Sequence, residues 1–153
     1  MRQALLFLHL LSAFVFVGAV VAAGILQLTA LRRERPSEIA LLLRVTRAAV
    51  LLTIVGALAT LAFGLALVGH EDIGYGRSWV AAAIGLWVAA MILGGLGGRT
   101  ARHARYLAER LAAEGDRPTD ELQSLVAHRP SLLLSYASTG AVVAILVFMV
   151  WKP

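Results

Sequence analysis

The sequence of 153 residues contains no cysteine, and only 15% of its residues are charged. The missing cysteines exclude disulfides, thiolate metal sites, iron–sulfur clusters and c-type haem attachment, so a bound metal must be held by His, carboxylate or Met. The scarcity of charge, with 59% hydrophobic residues and a mean hydropathy of +0.80, is far from the composition of an ordinary soluble domain. The composition therefore predicts a membrane protein.

Four apolar runs are long enough to cross about 30 Å of hydrocarbon as helices, which takes about 20 residues each. They occupy approximately residues 4–31, 48–68, 79–98 and 131–151. We expect one all-α membrane domain, 1–153, with four transmembrane helices in an up-down bundle, because short connections favour antiparallel neighbours. The second helix should begin outside the membrane near Ser37, since Pro36 suits a first helical turn and Arg44 and Arg47 precede the apolar core.

Basic residues are divided unequally between the two sides of this bundle. Eleven of the fourteen Arg and Lys residues lie in the first connection, the foot of the second helix and the connection 99–130, which leaves Arg2, Arg77 and Lys152 for the other side. Because cytoplasmic loops carry the excess of basic residues, we expect the connection 99–130 to be cytoplasmic. Both termini should then lie outside, with the chain in the cell inner (plasma) membrane.

The connection 99–130 is the only long polar segment. Residues 99–114 should continue the third helix, Gly115 should end it, and Thr119 should cap a short helix. One side of that short helix is an apolar stripe that could lie on the bilayer or against the helix ends, formed by Leu122, Leu125 and Val126. A solvated helical connection is the favoured interpretation, and a surface that docks a partner is the alternative.

Small residues are expected to hold the spans together, since lipid is as apolar as the helices and supplies little drive for association. Such residues recur four positions apart in the first three spans: Gly18 and Ala22, then Gly56, Thr60 and Gly64, then Gly94 and Gly98. Packing within one chain is the default expectation. A homo-oligomer or a membrane-protein partner is the alternative use of these surfaces.

Two histidines are the candidates for chemistry. His9 lies near the outer end of the first helix and His70 just past the outer end of the second, so antiparallel packing should place both at one depth. Two imidazoles could ligate haem b, and imidazoles with the adjacent Glu71 and Asp72 could hold copper or zinc. The plainer alternative is that His9 hydrogen-bonds to Ser12 or to a carbonyl, while residues 70–72 form an ordinary polar loop. His103 and His128 are most simply surface residues.

Other classes of site find no support in the sequence. It contains no phosphate-binding Gly-x-x-x-x-Gly-Lys-Ser/Thr loop and no Gly-x-Ser-x-Gly nucleophile elbow. The four apolar cores contain no Asp, Glu, Lys or Arg, which argues against a proton or ion pathway through the chain. Nucleic acid is not an expected partner, because the basic residues adjoin apolar spans. Trp87 is expected to serve packing, and no catalytic residue is predicted.

Three segments carry a resemblance to known membrane families: Leu8-His-Leu-Leu-Ser-Ala-Phe-Val-Phe-Val-Gly18, Ser78-Trp-Val-Ala-Ala-Ala-Ile-Gly-Leu-Trp87 and Phe148-Met-Val-Trp-Lys-Pro153. Over its full length the chain resembles the uncharacterised bacterial integral membrane family named domain of unknown function 2269. The first segment is also similar to the first helix of CopD-type copper-resistance proteins and HemJ-type oxidases, which often carry Trp near the position of Phe16. The HemJ-type resemblance implies a haem bound through His9.

Three functions stay open at this point. The favoured one is a non-catalytic membrane subunit or scaffold, so an enzyme is not the first expectation. The second is a b-type haem-binding redox membrane protein in which His9, with His70, ligates the iron. The third is copper or zinc handling at an outer-face site built from His9, His70, Glu71 and Asp72.

Overall fold

The computed structural model describes residues 1–70 and 77–151, and within those ranges it contains helices and no strand. Five helices follow one another: α1 (Arg2–Ala30), α2 (Pro36–His70), α3 (Ser78–Ala113), α4 (Asp120–Val126) and α5 (Arg129–Trp151). The predicted all-α class is confirmed. Glu71 and Asp72 lie outside the described residues, together with the rest of the loop 71–76 and residues 152 and 153.

Four helical stretches, containing α1, α2, α3 and α5, are long and apolar enough to cross a membrane. Each has an 18-residue window with a mean hydropathy between 2.1 and 2.5, and at most 22% of any such window is buried inside the chain. Most apolar side chains of the spans therefore face outward. Such a surface is stable against lipid and costly in water.

The four long helices form an up-down bundle. α1 packs along α2, α5 packs along α3, and the two helix pairs meet through α2 and α3. The middle of the bundle is a cluster with one buried residue from each helix: Phe16, Ala57, Ala90 and Val142. Phe16 is 4% exposed and is the largest of the four. Small neighbours thus make room for one aromatic side chain.

The contact between α1 and α2 depends on Gly56. A Cβ on this residue would lie 2.8 Å from the backbone nitrogen of Phe16 and 2.9 Å from its Cα, closer than side-chain atoms pack. The two backbones therefore approach to a distance that only glycine permits. Gly18, on α1, would carry a Cβ with nothing within 4 Å of it.

The contact between α3 and α5 combines glycine with serine. A Cβ on Gly97 would lie 2.7 Å from Ser135 Oγ, and one on Gly94 would lie 3.1 Å from Ser138 Oγ, whereas Gly98 faces open space. Ser138 Oγ donates a hydrogen bond to the Ala90 carbonyl at 2.8 Å. Ser131 Oγ likewise donates to the Gly97 carbonyl. Serine hydroxyls thus bind the neighbouring backbone where glycine lets it come near.

A second core lies at the arginine-rich end, which we call the arginine-side core. It consists of Ala30, Ile39, Ala40, Leu43, Ala104, Ala108, Leu122 and Val126. Ile39 and Leu122 are fully buried. The apolar stripe of α4 therefore packs against the feet of α2 and α3, and the connection 99–130 belongs to a folded unit that extends the bundle.

Asp116 ties this unit together from the turn after α3. It accepts hydrogen bonds from the backbone nitrogen and the hydroxyl of Ser37, both at 2.7 Å, at the first turn of α2. Gly115, with φ 119°, and Asp116, with φ 55°, adopt left-handed conformations that turn the chain toward α2. The hydrogen bonds from Ser37 hold the pKa of Asp116 below its ordinary value of 3.8. The carboxylate thus caps the start of α2 through Ser37, which lies 79 residues earlier in the chain.

Candidate functional site at the His9 pocket

A cavity of about 420 Å³ lies at the end of the bundle opposite the arginine-side core. Its wall is formed by the first turns of α1 and α3 and the last turns of α2 and α5, which the up-down order brings to one end. Most of the wall is apolar, and the residues that matter for its chemistry include Leu6, His9, Gly64, Ala83, Trp87 and Met149. We call this space the His9 pocket.

The His9 imidazole is the polar centre of the wall. Its Nδ1 lies 3.0 Å from the backbone carbonyl oxygen of Thr60, on the facing helix. A carbonyl can only accept, so Nδ1 carries the proton and Nε2 of the neutral ring presents a lone pair. Nε2 makes no hydrogen bond with the described residues. Among those residues, every buried side-chain nitrogen or oxygen has a hydrogen-bond partner. Because Nε2 has none, it is not fully buried and faces accessible space.

Gly64 leaves room for the imidazole of His9, because it has no side chain. A Cβ on Gly64 would lie 3.0 Å from Cε1 and 3.2 Å from Nδ1 of His9, so the ring rests against bare backbone one turn beyond Thr60. On its own helix, the backbone carbonyl of His9 accepts a hydrogen bond from Ser12 Oγ at 2.9 Å. The ring orientation is therefore set by one hydrogen bond and by one missing side chain.

Two further hydrogen-bond donors in the wall are already engaged. Trp87 Nε1 donates to the Ala57 carbonyl at 3.2 Å, and Thr60 Oγ1 donates to the Gly56 carbonyl at 2.7 Å. Arg2 and Trp79, which also line the cavity, each have an interaction partner. Trp87 additionally packs against the central cluster around Phe16, so its indole forms the inner part of the wall.

The family of the chain follows from a comparison over nearly its whole length. Residues 3–153 match the family model described as "Predicted integral membrane protein (DUF2269)". The chain belongs to the DUF2269 family. Together with four helices long enough to span a bilayer, this makes it an integral membrane protein in contact with lipid, as expected from the sequence. No curated protein and no solved structure matches the chain.

His70, the second predicted ligand of this DUF2269 protein, lies outside the pocket wall. His70 is the last residue of α2, is exposed and does not line the His9 pocket. Glu71 and Asp72 follow it outside the described residues. In residues 1–70 and 77–151, no group of three or more His, Cys, Asp and Glu side chains could hold a metal ion. His103 and His128 lie at the arginine-rich end and hydrogen-bond within their own chain segments.

Two wall residues, Arg2 and Met149, are not indicated by any motif in the sequence. Arg2, Leu6 and His9 are spaced four and three residues apart and so share one face of α1. Met149 shares a face of α5 with Ile145, one turn earlier. This spacing is the available signal. It does not show which face points inward, because helices that are apolar all round have no distinct buried side.

The DUF2269 chain thus offers a site with simple chemistry. Of the described side chains that line the His9 pocket, only those of His9 and Arg2 are ionisable. An apolar molecule can fill the cavity, and His9 Nε2 can accept a hydrogen bond or donate its lone pair to a metal.

Proposed function

We propose that this integral membrane protein is non-catalytic and binds a small, largely apolar ligand in the His9 pocket. The observation that carries the proposal is the coincidence of a 420 Å³ cavity with one accessible imidazole nitrogen in a mostly apolar wall. Ligand sites are typically cavities of about 300–1,000 Å³ with few, well-placed polar groups. The pocket agrees with both criteria.

The composition of the wall supports binding over catalysis. General acid–base or nucleophilic chemistry usually needs at least two groups positioned around the reacting atoms. His9 Nδ1 donates a hydrogen bond to the Thr60 carbonyl, and Arg2 is the only other ionisable side chain among the described wall residues. The protein would therefore act as a non-catalytic, ligand-binding subunit in the membrane.

We place the His9 pocket at the outer face of the inner membrane. Eleven of the fourteen basic residues lie on the side of the arginine-side core or in its connections, which supports a cytoplasmic position for that core. The two termini and the pocket mouth would then face outward.

The orientation is tested by cysteine labelling, because the natural chain has no cysteine. Gln3→Cys and Glu114→Cys place one thiol at an exposed position at each end of the bundle. In intact cells, a membrane-impermeant maleimide should label Gln3→Cys at once and Glu114→Cys only after permeabilisation. The reverse pattern would show that the chain is inverted.

Ligand binding is tested by filling the pocket. Ala83 is buried in the wall, so Ala83→Phe should occupy the cavity, whereas Ala81→Phe adds the same ring at an exposed position on the same helix. In lipid nanodiscs, the wild type and Ala81→Phe should bind 1-methoxynaphthalene saturably by calorimetry, and Ala83→Phe should not. Wild-type heats no different from those of empty nanodiscs would contradict the proposal.

Haem b is a second candidate ligand, favoured by the His9 geometry. A metal-ligating histidine usually donates its other ring N–H to a carbonyl or carboxylate, as His9 Nδ1 does to Thr60. His9 Nε2 and the Met149 thioether, which line the same wall, are the atoms that would hold the iron. Bound there, haem would supply one-electron redox chemistry. His70, the second ligand expected from the sequence, does not line this cavity.

The spectrum of the purified protein tests this candidate. A Soret band that is lost in His9→Ala and retained in His103→Ala would establish haem ligation by His9. A colourless protein whose copper or zinc content, measured by elemental analysis, falls in His9→Ala would establish the metal-handling alternative. A colourless, metal-free wild type would exclude both for the protein as purified.

A further inference from the structure

We infer that the ligand of the His9 pocket is an apolar molecule with a hydroxyl group, such as a phenol or a quinol, that donates a hydrogen bond to His9 Nε2. This inference rests on the proposed function, namely that the cavity is a ligand site. It adds the chemical class of the ligand. This class follows from the wall groups that already have hydrogen-bond partners and from His9 Nε2, which has none among the described residues.

Three proton-bearing groups of the wall donate hydrogen bonds within the protein. His9 Nδ1 donates to the Thr60 carbonyl, Thr60 Oγ1 to the Gly56 carbonyl, and Trp87 Nε1 to the Ala57 carbonyl. Arg2 and Trp79 each take part in an interaction as well. A ligand that offers only acceptors, such as a quinone or an ether, would have to break one of these three hydrogen bonds to bind His9, Thr60 or Trp87 through its acceptor.

The uncommitted polar atom is an acceptor. Because the Thr60 carbonyl fixes the proton on Nδ1, the lone pair of Nε2 faces accessible space without a donor among the described residues. An apolar ligand that covers Nε2 without supplying a donor would leave this acceptor unpaired and desolvated, which is costly. A hydroxyl on the ligand removes that cost.

The apolar side chains of the wall determine which ring system the ligand can have. Leucine, isoleucine, valine and alanine side chains form most of it, with the rings of Trp79 and Trp87. Aromatic side chains pack well against flat rings in offset or edge-on geometries. A one- or two-ring aromatic alcohol matches an apolar cavity of about 420 Å³ with a single acceptor.

The test compares 1-naphthol with 1-methoxynaphthalene, in which a methyl group replaces the hydroxyl proton. Binding to the protein in lipid nanodiscs is measured by calorimetry, with empty nanodiscs subtracted to remove partition into lipid. The wild type should bind 1-naphthol about fivefold more tightly, the usual gain from one net hydrogen bond. His9→Phe should bind both probes equally, and His103→Phe, the same change at an exposed histidine, should keep the preference.

Failure of the inference is distinguishable from failure of the proposed function. Equal affinities of the two probes for the wild type would overturn the hydroxyl donor while leaving the ligand site intact. No saturable binding of either probe would overturn the site itself. The wild-type comparison of the two probes needs no substitution, so it tests the hydroxyl donor even where His9→Phe fails to fold. A haem or metal ion bound to His9 in the purified protein would also overturn the inference, because Nε2 would be occupied.

Discussion

The two ends of this membrane protein are held together in different ways. In the arginine-side core, large side chains such as Ile39 and Leu122 are completely buried. At the pocket end, the buried apolar residues of the wall are Val68, Val80 and Ala83, and a cavity remains between the helices. Burying a Leu or Ile away from water gains about 1.5–3 kcal/mol. Lipid removes that gain, so the spans must be joined by close contact and hydrogen bonds.

The arginine-rich end and the spans also differ in which groups their side chains bind. At the arginine-rich end, charged side chains also bind one another, as in the pairs of Arg44 and Arg105 with Glu109 at 3.4 and 3.2 Å. Within the spans, side chains bind the backbone of the next helix, as His9 binds the Thr60 carbonyl and Ser138 the Ala90 carbonyl. A helix in lipid presents few polar side chains, and its carbonyls are the acceptors that remain.

The largest expected effect concerns the arginine-side core. Leu122→Ala should lower the free energy of unfolding by about 2–5 kcal/mol, because it leaves a cavity in a core shielded from water. Leu133→Ala is the matched control, since Leu133 is 67% exposed on α5. Both are measured by unfolding in mixed detergent micelles. Equal effects of the two substitutions would show that this core does not behave as a water-excluding core.

Gly56→Ala should come next, at about 1–3 kcal/mol, because the new Cβ would collide with the Phe16 backbone and push α1 from α2. Gly24→Ala, on α1, meets nothing within 4 Å and should be neutral or slightly stabilising. Thermal unfolding of the two variants in the same detergent checks the difference. A Gly56→Ala variant as stable as the wild type would mean that close backbone approach does not join these helices.

Asp116→Asn should have a smaller effect that depends on pH. Its hydrogen bonds from Ser37 favour the carboxylate and hold the pKa of Asp116 below 3.8. The stabilisation is therefore fully present above that pH and is lost as the pH falls through the lowered pKa. The difference in unfolding free energy between wild type and Asp116→Asn should be constant near neutral pH and shrink below pH 3.8. A difference that grows on acidification would have the wrong sign.

Ser138→Ala should have the smallest effect, about 0.6 kcal/mol, the average for an interhelical hydrogen bond in a membrane protein. It removes the hydrogen bond to the Ala90 carbonyl of α3. Thr139→Ala removes an exposed hydroxyl that binds within its own helix and serves as control. A double substitution with Gly94→Ala sharpens the test, since the Cβ it adds would lie 3.1 Å from Ser138 Oγ in the wild type.

Much of the fold could be predicted from the sequence because lipid imposes a simple rule. Apolar runs of about 20 residues must be helical when they cross hydrocarbon, so four such runs define the helix class and the up-down order. The polar extensions also have local signals, since Pro36 starts α2 and Gly115 follows the end of α3. Each signal lies within a few residues of the boundary it marks.

The candidate site could be predicted only in part. His9 is conspicuous as an imidazole in an apolar run, but its acceptor is a backbone carbonyl, and every residue has one. Gly97 and Gly98 are adjacent, and only the rotation of α3 decides that Gly97 meets Ser135 while Gly98 faces open space. Such choices depend on contacts between helices, for which a helix that is apolar on all sides carries no sequence pattern.

The bonds of Asp116 and Gln123 to the start of α2 have a consequence for how the protein is made. Asp116 binds Ser37 across 79 residues, and Gln123 Nε2 donates to the Arg33 carbonyl at 3.0 Å across 90 residues. Proteins are synthesised from the N-terminus, so α1 and α2 are made before these two side chains exist. The first hairpin therefore forms without these two hydrogen bonds at its polar foot, and they can form only after α3 and the connection that follows it have been made.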